Sequence, residues 1–486
     1  MPDKKNELHG NTFQDAVMGI CALVAAADGT IRLRVAGLIG SDKPTKAPAV
    51  VRMRIMIGNA DGTSITTRSR PCGKRARHCG WIHSTSTSDR YYSHMRSIEA
   101  TERRARLARR HRLTPASRTD DVADIVRSLV VLHATDPATV YLSVSARSLD
   151  AGPAHVEKAL YDDRTLLRLL AMRRTMFVAP VELLPVLQAS CADALAEKQR
   201  RTYSRFIEQA GVVDGDVRAW LADVEDETHK ALLARGAATG AQLSRDVPRL
   251  RTQVNPAPDK AYSRPNSITT WVLVILGVEG RIVRGRPNGG WTSSQYTWAP
   301  RETWLPHSVA TMSADAARAE LVRQWLYAFG PAPITDIKWW TGWTLAEVRK
   351  ALAQLDVVEV DIDGTTGLLL ADDQDPIPQP EPWAALLPAL DPTPMGWQSR
   401  DWYLGPHAPM LFDRNGNVGP TIWWNGRIVG GWAQRKDGEI VYRLLEDVGA
   451  EAESLIEAEV GRTATWYGEV RAIPRFCTPL ERELTA

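Results

Sequence analysis

Two stretches in which short helices run into a hairpin, then a third rich in turns between short strands, predict an α+β protein. The expected architecture is tandem winged-helix domains followed by a C-terminal antiparallel β-barrel. The composition is globular. Of 486 residues, 44% are hydrophobic and 24% charged, enough for several packed cores and unlike a disordered chain. Net charge is only +3, so affinity for an anionic partner has to come from local basic patches. Five scattered cysteines argue against a disulfide framework and for a reducing compartment. No apolar run approaches the ~20 residues that crossing a bilayer requires, residues 16–27 being the nearest. A cytoplasmic protein with no membrane partner is expected.

Residues 1–94 differ in texture from the rest and are expected to be a poorly ordered N-terminal extension. Within them residues 13–31 (FQDAVMGICALVAAADGTI) read as one amphipathic helix closed by an Asp-Gly turn. That short helix resembles the opening helix of TerB-like tellurite-resistance domains. Beyond it helical periodicity is lost and Arg, Ser and Thr dominate. Cys72, His78, Cys79 and His83 lie close in sequence, but their spacing fits no zinc pattern, and no metal is expected. Met95 opens a segment with the character of a natural start.

The first winged-helix unit is assigned to residues 95–222. It begins with residues 102–113 (ERRARLARRHRL), a basic helix whose Arg103, Arg106 and Arg110 form either a solvated face or a phosphate-contacting one. A second helix, residues 121–132, has Val122, Ile125, Leu129 and Leu132 spaced to bury one face.

In the second unit, residues 223–312, a helix near 228–234 precedes AQLSRDVPRL, a further helix at 267–278, and the strands GRIVRG and WTSSQYTW. Asn288-Gly289 between alternating strands is a strong hairpin signal, because both residues tolerate positive φ. Arg281, Arg284 and Arg286 fall on or beside that wing, placed to meet phosphates or enter a minor groove, unless the hairpin is merely solvated.

The third unit, residues 313–371, repeats the order: helices at 316–329, 335–340 and 344–355, then the hairpin VVEVDIDGTTGLLLA. Glu359, Asp361 and Asp363 on this wing would repel a phosphate backbone, which makes the unit structural. Residues 372–382 are an acidic, Pro-rich linker. In residues 383–486, turns at 413–417, 425–426 and 437–438 separate the short strands of the expected barrel, and residues 447–461 form a helix packed on it. All but two of the 17 tryptophans lie at or after Trp271, filling cores or serving to stack bases.

Five stretches together resemble the winged-helix DNA-binding superfamily that includes AlkZ-like DNA glycosylases. They are LHATDPATVYLSVSAR (132–147), MRRTMFV (172–178), EGRIVRGRPNGGWTSSQYTW (279–298), LLPALDPTPMGWQSRDWYL (386–404) and WWNGRIVGGWAQR (423–435). The resemblance covers nearly everything after Met95. It implies a concave, cationic channel for double-stranded DNA and no metal or organic cofactor. In the family the site is Gln, a small apolar residue and a second Gln, with Asp at the third position in a sister branch. The matching positions here are His133, Ala134 and Thr135, followed by Asp136 and Pro137, so neither Gln is present. Two functions are compatible with this: a monofunctional glycosylase that excises alkylated bases, or a DNA-binding protein without excision, acting in damage recognition or regulation.

An N7-alkylated purine is already cationic and leaves without protonation, so such a site needs only to hold a water and stabilise an oxocarbenium-like sugar. Residues i and i+2 of an extended segment point the same way, which lets His133 and Thr135 grip one water, with His133 as orienter or base. Asp136, ahead of Pro137, suits either a helix N-cap or a catalytic carboxylate. Arg173 and Arg174 are read as DNA-backbone or helix-terminal charges. Asp391, Arg400 and Asp401 are either buried ion pairs or substrate contacts. The basic helix near Arg106 and the hairpin around Arg284 are expected to line one trough. Tandem DNA-reading units need no second copy, so a monomer is expected.

Overall fold

A computed structural model of the chain describes residues 95–260, 263–305, 310–472, 474 and 477–486, plus the backbone of a small antiparallel pair, Ile57–Gly58 with Ser64–Ile65. The expected helix at 13–31 and the cluster Cys72, His78, Cys79 and His83 lie outside the described residues. Two compact units are distinguished, Met1–Ser86 and Thr87–Ala486. The small strand pair belongs to the first, and every numbered element belongs to the second.

Helix α1 (Ala100–Arg110) leads to α2 (Val122–Ser128), capped by Asp121, whose carboxylate accepts the Asp124 N–H. Strand β1 (Leu132–His133) then runs into α3 (Pro137–Ser145). Strands β2 (Leu166–Leu170) and β3 (Met176–Pro180) complete an antiparallel three-stranded sheet in the order β1-β3-β2. Helix α3 is buried on nearly every side, which explains its lack of amphipathic patterning. Its C-terminal neighbour Arg147 makes a bidentate ion pair with Asp391, both side chains 0% exposed, with Ser143 and Thr393 completing the network. Of the two roles open to Asp391, the structure therefore gives it the buried ion pair.

Helices α4 (Asp193–Ala210), α5 (Val217–Arg235), α6 (Gly240–Asp246) and α7 (Thr269–Val278) enclose a second core built on Ile207, Leu221, Val224, Leu243, Val272 and Leu276. Local signals set their ends: Asp216 caps α5, and Thr239 with Gln242 forms a capping box on α6. The hairpin β4 (Ile282–Pro287) and β5 (Tyr296–Pro300) follows as expected, but residues 288–295 connect it as a long loop rather than a tight Asn-Gly turn. Packing explains the difference. Trp291 from this loop is buried against Tyr141, Trp466 and Tyr467, with ring centroids 5.1, 5.5 and 6.4 Å away.

Helices α8 (Ala314–Phe329), α9 (Ile334–Thr341) and α10 (Leu345–Leu352) precede the hairpin β6 (Val357–Ile362) and β7 (Thr365–Leu370). Asp363 and Gly364, at φ 52° and 79°, make the tight turn that a two-residue hairpin requires. The outer edge of β6 is covered by residues 96–98, where Ile98 donates to the Asp361 carbonyl and Arg96 accepts from the Asp361 N–H. The last region is an open antiparallel sheet of four strands in sequence order: β8 (Ala384–Leu387), β9 (Thr421–Trp424), β10 (Arg427–Gln434) and β11 (Ile440–Leu444). Among the described residues no pairing joins β11 back to β8, so the expected barrel is not closed. Helices α11 (Ala450–Tyr467) and α12 (Pro479–Thr485) pack on this sheet instead. Trp325, Trp383, Trp397 and Trp423 are fully buried, so a large share of the tryptophans fills the core. No helix among the described residues is long and apolar enough to cross a membrane.

Candidate DNA-facing site

The segment from β1 to α3 alternates in exposure. Leu132 and Ala134 are buried, while His133 and Thr135 keep surface. Backbone pairing produces this pattern, since His133 faces Phe177 of β3 in register and the Ala134 N–H donates to the Met176 carbonyl at 2.8 Å. The His133 ring meets Phe177 edge to face at 5.8 Å. Burial, and next the positive charge of Arg173, push the imidazole down to about 4, so it is neutral at physiological pH. The Thr135 N–H approaches His133 Nδ1 at 3.4 Å. That contact favours the tautomer with its proton on Nε2, which makes this nitrogen a donor to a water or an anion rather than a base.

Asp136 is buried and accepts the Ala138 N–H at 3.0 Å, with Pro137 at the first helical position. It is the N-cap of α3, one of its two expected roles. The residue also lines a narrow cleft with Thr139, Leu142, Trp432, Gln434 and Tyr467. Burial and then the nearby Asp136 charge raise the Tyr467 phenol, keeping it protonated.

Opposite His133, the turn joining β2 to β3 carries Arg173 and Arg174, both exposed. Both sit in the left-handed region, at φ 53° and 61°. Such a conformation costs a non-glycine residue about 1–2 kcal/mol, and two in succession mark a turn held by its surroundings. Arg173 lies over Trp339 of α9, with Cζ 4.7 Å from the ring centroid. Gly342, which ends α9 at φ 74°, makes room for it: a Cβ there would stand 2.7 Å from Arg173 Cγ. Arg174 donates to Gln199 Oε1 at 3.2 Å. Arg400 approaches the same Trp339 from another segment, 5.0 Å from its centroid, and is anchored by donation to the Trp397 carbonyl at 2.7 Å. Sequence reasoning missed Trp339, whose position in an ordinary amphipathic helix gives no signal, and left Arg400 undecided.

The remaining arginines meet internal partners. Arg106 is 1% exposed and is held by Glu102, Asp373 and the Asp375 carbonyl, so it faces no trough. Arg110 grips both carboxylate oxygens of Asp373 and the Gly330 carbonyl. Arg103 is buried with its guanidinium 4.1 Å over Trp402, and desolvation lowers it to about 10. Asp373, in the expected acidic linker, thus neutralises Arg106 and Arg110 of the expected basic DNA face, and the trough does not form from Arg106 and Arg284. On the hairpin, Arg281 pairs with Asp226, and Arg286 with Glu157 and Asp162. Arg284 is half-buried between Tyr296 and Trp298, and desolvation lowers its pKa. Among the described residues no group of three or more His, Cys, Asp or Glu is placed to hold a metal ion.

A family model described as DNA glycosylase AlkZ-like matches residues 126–466. The chain belongs to the AlkZ-like DNA glycosylase family. Among solved structures, Streptomyces sahachiroi DNA glycosylase AlkZ is similar in fold, with a TM-score of 0.58 and 18% identity over 76% of this chain and 97% of that one. No curated protein matches. The AlkZ-like span contains His133, Arg173, Trp339 and Arg400, while α1 lies before it.

Proposed function

We propose that the protein is a monofunctional glycosylase that removes N7-alkylated purines from duplex DNA, acting as a monomer. The observation that carries this reading is the placement of His133 and Thr135, side by side and accessible, next to arginines without acidic partners. In the reaction the C1′–N9 bond of the cationic nucleotide breaks and its electrons discharge the base, which leaves as neutral N7-alkylpurine. His133 Nε2–H and the Thr135 hydroxyl hold a water whose oxygen bonds to C1′ of the sugar cation, and the water's surplus proton passes to solvent. The arginine charge keeps the phosphodiester beside the reacting sugar. Exposing that nucleotide costs a few kcal/mol, less at a damaged base.

On this reading the three helix-plus-hairpin segments, residues 95–222, 223–312 and 313–371, are winged-helix units. The first presents the site, and the other two brace it. The donor state of Nε2 favours a second reading, a DNA-binding protein without excision, because such a histidine supplies no base. Single-turnover release of 7-methylguanine from a duplex separates the two. Glycosylase action predicts release by the intact chain that His133→Ala slows about 100-fold. Tight duplex binding with no release from any alkylated substrate would establish the second reading instead.

A further inference from the structure

Trp339 stands between two guanidinium groups delivered by segments far apart in sequence, Arg173 at 4.7 Å and Arg400 at 5.0 Å from its ring centroid. Neither cation makes an ion pair with a carboxylate among the described residues. For Arg173 the charged group that acts on it is Arg400 itself, another cation, and Arg173 in turn acts on His133. Elsewhere several arginines are neutralised by carboxylates, as with Arg106, Arg147 and Arg200. Here the protein spends backbone strain and a glycine to hold two like charges against one indole. Arg168 and Arg284 flank Tyr296 in the same way, but Arg168 is buried, whereas Arg173 is open to solvent, where an anion can meet it. The half-exposed setting and the planar donors of arginine suit the oxygens of a phosphodiester.

We infer that Arg173, Trp339 and Arg400 form a phosphodiester grip that sets the register of the DNA backbone against His133. Trp339 is the positioning residue: its ring lies against both guanidinium groups by cation–π contact, and Arg400 is backed as well by Phe412, 4.7 Å from that ring's centroid. Arg400 Nε is committed to the Trp397 carbonyl, leaving its terminal nitrogens for phosphate oxygens. Because the grip lies beside His133, the phosphate it holds determines which sugar meets the bound water. The inference rests on the DNA-processing role proposed above and names how the backbone is read.

Binding of an unmodified, fluorescein-labelled duplex of twenty base pairs, measured over a series of KCl concentrations, tests it. Neutralising one phosphate contributes roughly 0.9 to the slope of log K against log[KCl]. Arg173→Gln and Arg400→Gln are each expected to lower the slope by about 1. Trp339→Leu should lower it at least as much as Arg173→Gln alone, since Phe412 still backs Arg400, and Trp339→Phe should restore most of the loss. Thermal melting confirms that the Trp339 variants fold; if Trp339→Leu does not, the two arginine variants decide the matter, since their side chains reach solvent. Wild-type slopes in both arginine variants would overturn the grip alone. A wild-type protein that does not bind the duplex would overturn the DNA reading and the grip with it.

Discussion

Helix α1 and the turn between β2 and β3 are both arginine-rich, and they use charge in opposite ways. In α1, Arg103, Arg106 and Arg110 turn inward, against Trp402, Glu102 and Asp373. In the turn, Arg173 and Arg174 are exposed, lack carboxylate partners, and sit in backbone conformations that L-residues avoid. Density of charge along a sequence is therefore a poor guide to where the protein meets an anion. What distinguishes the two regions is whether the rest of the chain supplies a counter-charge. For α1 it does, from Asp373, more than 260 residues away.

This contrast can be broken in several places. The largest expected effect is on stability. Arg106→Ala removes a buried guanidinium from a network in which Glu102 keeps Arg96 and Asp373 keeps Arg110, and should cost about 1–3 kcal/mol in denaturant unfolding, while the folded protein keeps its duplex affinity. Affinity that falls with stability intact would put α1 back on the DNA face. Next, His133→Ala removes the donor that holds the water and should slow base release about 100-fold with duplex affinity unchanged.

The pH dependence sharpens the same point. Folding lowers the His133 pKa from 6.5 to about 4, so between those values the unfolded chain binds the extra proton. Its contribution to stability is complete above about 6.5 and disappears as pH falls through about 4. Base release should accordingly be level across neutral pH and decline only as pH nears 4. A midpoint near 6.5 would mean that the imidazole is not enclosed as described. Gly342→Ala is expected to cost about 1–2 kcal/mol in strain and to displace Arg173, visible as a reduced salt dependence of binding. The smallest contrast compares two exposed arginines. Arg174→Gln should reduce the salt slope by about 1, whereas Arg109→Gln on α1 should change neither slope nor stability beyond about 0.5 kcal/mol.

Local physics carried much of the architecture. The Asp363-Gly364 turn and helical apolar spacing placed α7 to α10 and the β6–β7 hairpin within a few residues of where they lie, whereas α5 begins well before the helix expected near 228–234. The cap role of Asp136 was one of two readings open from the Pro that follows it, and the accessible i, i+2 pair at His133 and Thr135 was expected from extended geometry. What escaped prediction is long-range. Nothing near residues 102–113 announces Asp373 as a partner, and nothing near Asn288-Gly289 shows that Trp291 will be drawn into a nest formed by α3 and α11. Closure of the barrel is a similar case: α11 and α12 pack on the four-stranded sheet, and among the described residues no pairing joins its edge strands β8 and β11. The Arg173–Trp339–Arg400 stack joins three segments and has no local signature.

Hydrogen exchange with and without a saturating duplex tests the central contrast most directly. Protection confined to the peptides around His133, residues 172–178 and the end of α9, with α1 unchanged, is the result expected. Protection of α1 or of the Arg281–Arg286 hairpin, with the turn at Arg173 and Arg174 unaffected, would contradict it.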